Sequence, residues 1–178
     1  MRPERLELIE PTESLGGEYD AYCREFGGAA EIPGNCSMAT ADDFREGVQR
    51  CIDHARGRNL PAGWVPAHTF WLVRDGRTLV GMVNLRHDLT PFLANEGGQI
   101  GYSVRPTERG KGYGTRMLAM TLEKARQIGL KRVLITCDER NVASARLIRK
   151  CGGILENAVP SRQPGREVTE RYWIDLAD

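Results

Sequence analysis

The chain has 178 residues, of which 40% are apolar and 28% charged, and its formal net charge is +1. That length suits one domain, and the composition is that of an ordinary globular protein without a run apolar enough to span a bilayer. Near-neutral charge with no aromatic-basic stripe argues against nucleic acid, and the missing secretory pattern predicts a cytoplasmic protein. In chain order, residues 5–10 alternate and stop at Pro11, which predicts a first strand. Residues 13–26 read as a helix closed by Gly27-Gly28. A second helix is predicted from Thr40, as cap, to Arg56, with Asp42 and Asp43 in its first turn. The prolines at 61 and 66 mark a loop.

The period then changes. Residues 69–74 and 78–86 are strand-like runs joined by the hairpin signal Asp75-Gly76. After a loop at 91–97, residues 99–104 form a further strand stopped by Pro106. A helix follows over 114–128, with Met117, Leu118, Leu122 and Ala125 on one face and Gly129 as its stop. The β-branched run 132–137 predicts a buried central strand. Asn141 caps another helix ended by Gly152-Gly153, and 154–159 and 170–176 form a last strand pair. The predicted fold class is therefore α/β (α+β): a mixed, mostly antiparallel central sheet of about six to seven strands with helices on both faces. The five cysteines, Cys23, Cys36, Cys51, Cys137 and Cys151, form no CxxC pair, which predicts reduced thiols and no metal site. Residues 1–98 hold 10 basic and 15 acidic side chains, and residues 99–178 hold 15 and 9. That split suits an anionic ligand on the second half.

The chemistry lies in Val104-Arg105-Pro106-Thr107-Glu108-Arg109-Gly110-Lys111-Gly112-Tyr113-Gly114-Thr115. A strand ends, three glycines fall within five residues, and a helix begins. Glycines let the backbone approach a ligand, and the unpaired amides of a helix start favour an anion. Arg109 and Lys111 add cationic donors. The P-loop pattern fails because Gly112 follows Lys111, and the dinucleotide GxGxxG pattern fails at Thr115.

The stretch fits R-x-x-G-x-G at Arg109, Gly112 and Gly114, and Asn141-x-Ala143-Ser144-x-Arg146-Leu147 follows a second strand. From about Trp71 to Gly153 the sequence resembles the GNAT superfamily of acetyl-CoA-dependent N-acetyltransferases. The resemblance implies one domain: 1–98 on the acceptor side, 99–153 as acetyl-CoA-binding core and 154–178 as a C-terminal strand pair. It implies that the amides of Arg109, Gly110, Lys111, Gly112, Tyr113, Gly114 and Thr115 hold the pyrophosphate. Val104 would pair with the pantetheine arm and polarise the thioester carbonyl. Asn141 and Ser144 would meet the pantetheine or thiol end, with Arg146, Arg149 or Lys150 near the adenosine phosphates. Many relatives are dimers, so a homodimer is expected by analogy.

Family members commonly use a glutamate on the fourth strand as base and a tyrosine on the last motif helix as acid. Here those positions hold Gln99 and Ile148, which transfer no proton. His87 is the substitute base of suitable pKa, with Glu96 and Glu156 behind it. Tyr102 could donate a proton, Cys137 could carry an acetyl group, and positioning with a water relay is a further route. Acidic residues of the first half (Glu31, Asp42, Asp43, Asp53, Asp88, Glu96) suit a cationic acceptor, such as an amino sugar, an aminoglycoside-type antibiotic or a polyamine. Glu156 joins Asp88 and Glu96 as a substrate candidate, and Trp64, Phe70 and Trp71 could supply an apolar wall. The expected function is acetyl transfer from acetyl-CoA to a small-molecule amine in a ternary complex. A non-catalytic acetyl-CoA sensor and a protein or peptide N-acetyltransferase are the alternatives.

Overall fold

The computed structural model describes residues 4–35, 38 and 43–176. β1 (Leu6–Ile9), β2 (Ala67–Arg74), β3 (Thr78–Arg86) and β4 (Ile100–Val104) form an antiparallel four-stranded sheet in that order. β5 (Arg132–Asp138), β6 (Ile154–Pro160) and β7 (Val168–Asp175) form a second antiparallel sheet, order β5-β7-β6. α1 (Gly16–Phe26) and α2 (Phe44–Ala55) precede β2, α3 (Tyr113–Gln127) links β4 to β5, and α4 (Val142–Lys150) links β5 to β6. The seven strands are thus split four and three.

Local chemistry explains the elements. Asp75 and Gly76 both take positive φ, 52° and 68°, the geometry that matches the twist of a tight hairpin. α1 closes on Gly27, whose N–H and that of Gly28 bond back to the last turn. The start of α2 differs from the expectation. Thr40 lies outside the described residues, and the cap is Asp43, whose carboxylate accepts from the Glu46 N–H at 2.7 Å.

β2 and β3 are apolar on both faces because both are covered. Leu72, Val83 and Leu85 face a core completed by Met117 and Leu118 of α3, Ile148 of α4 and Tyr172 of β7. Trp71, Val73 and Met82 face a second core with Tyr19, Tyr22 and Val48 from α1 and α2. Tyr19 stacks on Trp71 at 5.7 Å, and Tyr22 and Ser103 hydroxyls meet at 3.0 Å.

β5 was expected at the centre of one sheet, but it borders the gap between two. Gln99 makes the join. Its N–H donates to the Leu134 carbonyl at 2.7 Å, and its side-chain oxygen accepts from the Leu134 N–H at 3.0 Å. A side chain thus stands where a ladder would use a backbone carbonyl, and beyond it the strands part. On the other side of β4, Gly101 passes so near the backbone of Gly34 that an added Cβ would sit 2.2 Å from the Gly34 oxygen. At the end of β4, Arg105 is clamped by Glu25 at 2.6 Å and Glu18 at 3.0 Å, tying α1 to the segment that follows.

Candidate functional site

The segment after β4 turns sharply and enters α3. Gly110 and Gly112 adopt φ of 77° and 82°, and a Cβ on either would meet nothing within 4 Å. The turn therefore opens outward, and a ligand can approach its backbone. Gly112 caps α3 without a side-chain hydrogen bond, and no acidic residue lies in the first turn, so the orphan amides keep their capacity for an anion. Gly114 is needed for a different reason: a Cβ there would strike Leu147 Cδ1 of α4 at 2.5 Å. These features fit the diphosphate of a coenzyme A moiety.

The two cations of the segment turn elsewhere. Arg109 donates to the Val104 carbonyl at 3.2 Å and lies over the Phe26 ring. Lys111 pairs with Glu108 at 2.8 Å, and Glu108 also binds Arg74. Tyr113 is buried, donating to Glu4 and accepting from Arg74, both at 2.8 Å. What residues 109–115 offer an anion is thus backbone, with the flanking charge held beside it. Thr115 stands in the first turn of α3, where its carbonyl accepts from the Cys151 thiol.

The β4 backbone leads from this turn into the gap. Arg86 N–H bonds the Gln99 carbonyl and Arg105 N–H bonds the Val80 carbonyl, so odd-numbered residues of β4 pair with β3. By alternation the Tyr102 and Val104 amides face the gap toward β5. Asn141 and Ser144 flank that gap at the start of α4. Asn141 Oδ1 accepts from the Ser144 N–H at 3.1 Å, and the Ser144 hydroxyl meets the Tyr102 hydroxyl at 2.7 Å. Burial, first of all, pushes the Tyr102 phenol up to about 12, so it stays protonated.

A cleft of ≈ 920 Å³ runs from this point across the sheet. Tyr102, Cys137, Asn141 and Ser144 form one end, Thr69, Asn84 and Arg86 the floor, and α2 with the loops at 61–65 and 90–97 the far walls. Burial raises the Cys137 thiol to about 11, with the Glu170 carboxylate adding to the effect, so it is a neutral thiol near pH 7.

The proposed acid–base and acceptor residues fall differently. His87 is absent from the cleft lining. Ala67 and Thr69 on β2, and Asn84 and Arg86 on β3, face the cleft, so alternation places His68, Phe70 and His87 on the opposite face. There His87 Nε2 lies 2.7 Å from His68 Nδ1, and His68 stacks on Phe70. Burial and then the neighbouring His68 lower the His87 pKa. Glu96 does line the cleft, but its carboxylate accepts from Ser161 and Thr169 hydroxyls and the Arg162 N–H, at 2.8–3.0 Å. Asp88 is exposed beside the cleft's outer loop, accepting from the Leu89 N–H, and Glu156 on β6 pairs with Arg171 on β7; neither lines the cleft. Glu31, Asp43 and Asp53 do not line it either, and Asp42 lies outside the described residues. Gln99 spends its amide on the strand join, and Ile148 is fully buried in the core. Phe70 and Trp71 are core residues, whereas Trp64 lines the cleft. Arg146, Arg149 and Lys150 lie on the exposed face of α4.

Sequence reasoning missed the α2 wall. Arg50, Cys51 and His54 reach the cleft from one helix face, joined by Phe92 and by Arg166 from the loop before β7. Spacing of 50, 51 and 54 on a helix was the available signal. Burial, then the Arg50 charge, lowers the His54 pKa, so its imidazole is neutral near pH 7.

Residues 40–153 match the model of the acetyltransferase (GNAT) family. No curated protein matches the sequence. Among solved structures, the acetyl transferase from Salmonella typhimurium that modifies the N-terminal serine of ribosomal protein L7/L12 superposes with a TM-score of 0.69 at 18% identity, over 96% of this chain and 94% of that one. The microcin C7 self-immunity acetyltransferase MccE, in complex with acetyl-CoA and AMP, gives 0.68 at 16% identity, covering 96% and 92%. A spermidine N-acetyltransferase SpeG chimera from Vibrio cholerae and hSSAT gives 0.64 at 15% identity, covering 96% and 95%. Such identities speak for the fold, while the family model spans well over half of the chain. With the glycine turn, the parted strands and the capped α4 in place, the chain belongs to the GNAT acetyltransferase family, whose members are acetyl-CoA-dependent N-acetyltransferases.

Proposed function

We propose that this protein acetylates the primary amine of a small molecule by direct transfer from acetyl-CoA in a ternary complex. The observation that carries this reading is the continuity of the cleft: one cavity holds the Tyr102–Ser144 pair at its β4–β5 end and the α2 wall at the other. Its volume suits a small ligand. Acetyl-CoA supplies an activated acyl group when bound. The amides at residues 109–115 hold its diphosphate, and the Val104 amide, facing the gap, polarises the acyl carbonyl.

Three groups manage the rest. His54, kept neutral, accepts the proton that the amine loses, directly or through water. The Tyr102 hydroxyl, through Ser144, gives a proton to the departing thiolate. Cys137, protonated near neutral pH, is a poor nucleophile, which favours direct transfer over an acetyl-enzyme. The aminoglycoside-type acceptor expected from acidic residues loses its support, because Asp88 and Glu156 stand outside the cleft and Glu96 is fully engaged. Acetylation of a protein N-terminus is a second reading, favoured by the likeness to the ribosomal-protein enzyme.

Thiol release from acetyl-CoA against a panel of aminoglycosides, polyamines, amino acids and N-terminal peptides tests the proposal. Turnover with a free small amine supports it. Turnover with peptides alone replaces it by the second reading, and acetyl-CoA binding without turnover on any amine contradicts the enzymatic assignment.

A further inference from the structure

In the cleft floor, Oδ1 of Asn84 has no hydrogen-bond partner among the described residues. Asn84 is only 5% exposed. Buried amide oxygens are normally paired, and one left unpaired costs stability unless something else meets it. The way the amide is held explains the surplus. Its Nδ2 donates to the Thr69 hydroxyl oxygen at 3.3 Å and to the His68 carbonyl at 3.5 Å. A carbonyl only accepts, so the nitrogen end is fixed toward β2 and the oxygen end is left over. The indole N–H of Trp71 is also unpartnered, but Trp71 lies outside the cleft lining, so Asn84 differs in facing a ligand site.

Register places the group. Asn84 pairs with Gly101 of β4, the residue before Tyr102. Alternation turns Asn84 and Gly101 to the α1–α2 side of the sheet, with Met82 and Ser103, and Tyr102 to the opposite side, where it meets Ser144. Asn84 therefore lies under the acceptor side of the cleft, one residue along β4 from the group that protonates the thiolate. His54 Nε2, the proton acceptor of that reading, lines the same cleft and is likewise without a partner among the described residues. An uncharged amide oxygen and a neutral imidazole complement N–H groups rather than a carboxylate or phosphate.

We infer that Asn84 is a specificity-determining residue: its Oδ1 accepts an N–H of the attacking nitrogen and so selects a primary over an N-alkylated amine. This rests on the acetyltransferase reading above and narrows its substrate. The nitrogen lone pair forms the carbon–nitrogen bond and the carbon–sulfur bond breaks. Of the three N–H bonds of a primary ammonium, two are lost: one proton leaves through His54, and the other makes good the proton given to the thiolate. The third N–H stays in the product amide and keeps its bond to Asn84. A secondary ammonium has only two to lose and none left for Asn84. The products are the N-acetyl compound and free coenzyme A, with no other reactant.

The test pairs primary amines with their N-methyl counterparts as acceptors for the full chain: alanine with N-methylalanine, putrescine with N,N′-dimethylputrescine, and a serine-led tripeptide with its N-methyl form. In the pair that is turned over, kcat/KM should be about tenfold or more higher for the primary member. In Asn84→Leu the primary amine should lose about tenfold while the secondary one is unchanged, so the preference collapses. The urea midpoint should hold, because the unpaired oxygen leaves with the side chain. Asn84→Ser, which withdraws the oxygen and stays polar, should show the same collapse and serves if the leucine variant does not fold. An amide with a merely structural role would instead lower kcat/KM for both members alike and lower the urea midpoint. Equal use of both members by the unmutated protein, or a preference that survives in a folded Asn84 variant, overturns the inference. Acetyl-CoA binding in calorimetry without turnover of any member overturns the acetyltransferase reading, and the inference with it.

Discussion

The turn at 109–115 and the cleft it adjoins are built by different means. The turn is a run of consecutive residues that presents its backbone, so glycines dominate and side chains point away: Arg109 to the Val104 carbonyl, Lys111 to Glu108, Tyr113 into the protein. The cleft is assembled from residues on α2, four strands and several loops far apart in sequence. A backbone site tolerates change in the side chains that face away and fails when a glycine is lost. A side-chain site behaves the other way, and its specificity can change one residue at a time. The contrast suits an enzyme with a fixed donor and a particular acceptor.

Five variants would break or sharpen that contrast. The largest effect is expected for Gly112→Glu, which places a carboxylate at the anion site and a side chain at φ 82°. Acetyl-CoA affinity should fall at least a hundredfold, about 2.7 kcal/mol, in a protein whose circular dichroism is unchanged. Unchanged affinity in that folded variant would remove the turn from the site. Arg105→Ala should come next. It strips a largely buried guanidinium from Glu18 and Glu25, so a loss of about 2 kcal/mol in urea unfolding is expected.

Tyr102→Phe should lower kcat by roughly tenfold to a hundredfold while leaving the acetyl-CoA Kd alone, because it removes the proton and keeps the ring. An equal loss of affinity would make the hydroxyl a binding group instead. The smallest effects separate two histidines. His54→Gln should remove the acidic limb of the kcat/KM profile, which lies below the usual histidine range because the His54 pKa is lowered. His87→Gln should leave that profile intact. Its signature is stability: with the His87 pKa lowered in the folded state, the unfolded chain binds more protons below about pH 6.5. Wild-type stability should therefore decline as pH falls through that range, and His87→Gln should reduce the slope by less than about 1 kcal/mol in total. A pH–rate profile altered by His87→Gln and not by His54→Gln would reverse the assignment.

The same contrast explains what could be read from sequence. Strand and helix order followed from periodicity and from punctuation such as Asp75-Gly76 and Gly129, because those signals act within a few residues. The glycine turn was legible for that reason too. The split of the sheet was not, since it depends on Gln99 reaching Leu134, a pairing across 35 residues. The expectation of His87 as base took no account of sheet alternation. His87 follows a strand whose cleft-facing residues are Asn84 and Arg86, and only the folded order shows which face α2 covers. Acidic residues of the first half suggested a cationic acceptor, but folding matched them locally: Asp43 caps α2, Asp53 binds Arg58, and Glu18 and Glu25 hold Arg105. Net charge along the chain says little about a cleft once such pairs have formed.

The central claim is that backbone amides of one turn and one strand hold the donor. Titrating acetyl-CoA into ¹⁵N-labelled protein and following amide shifts tests it directly. The account predicts the largest shifts at Gly110, Gly112, Gly114, Thr115 and Val104, with small ones at Trp64 and Phe92. Shifts concentrated on the Trp64–Phe92 wall, with the 109–115 amides unmoved, would contradict it.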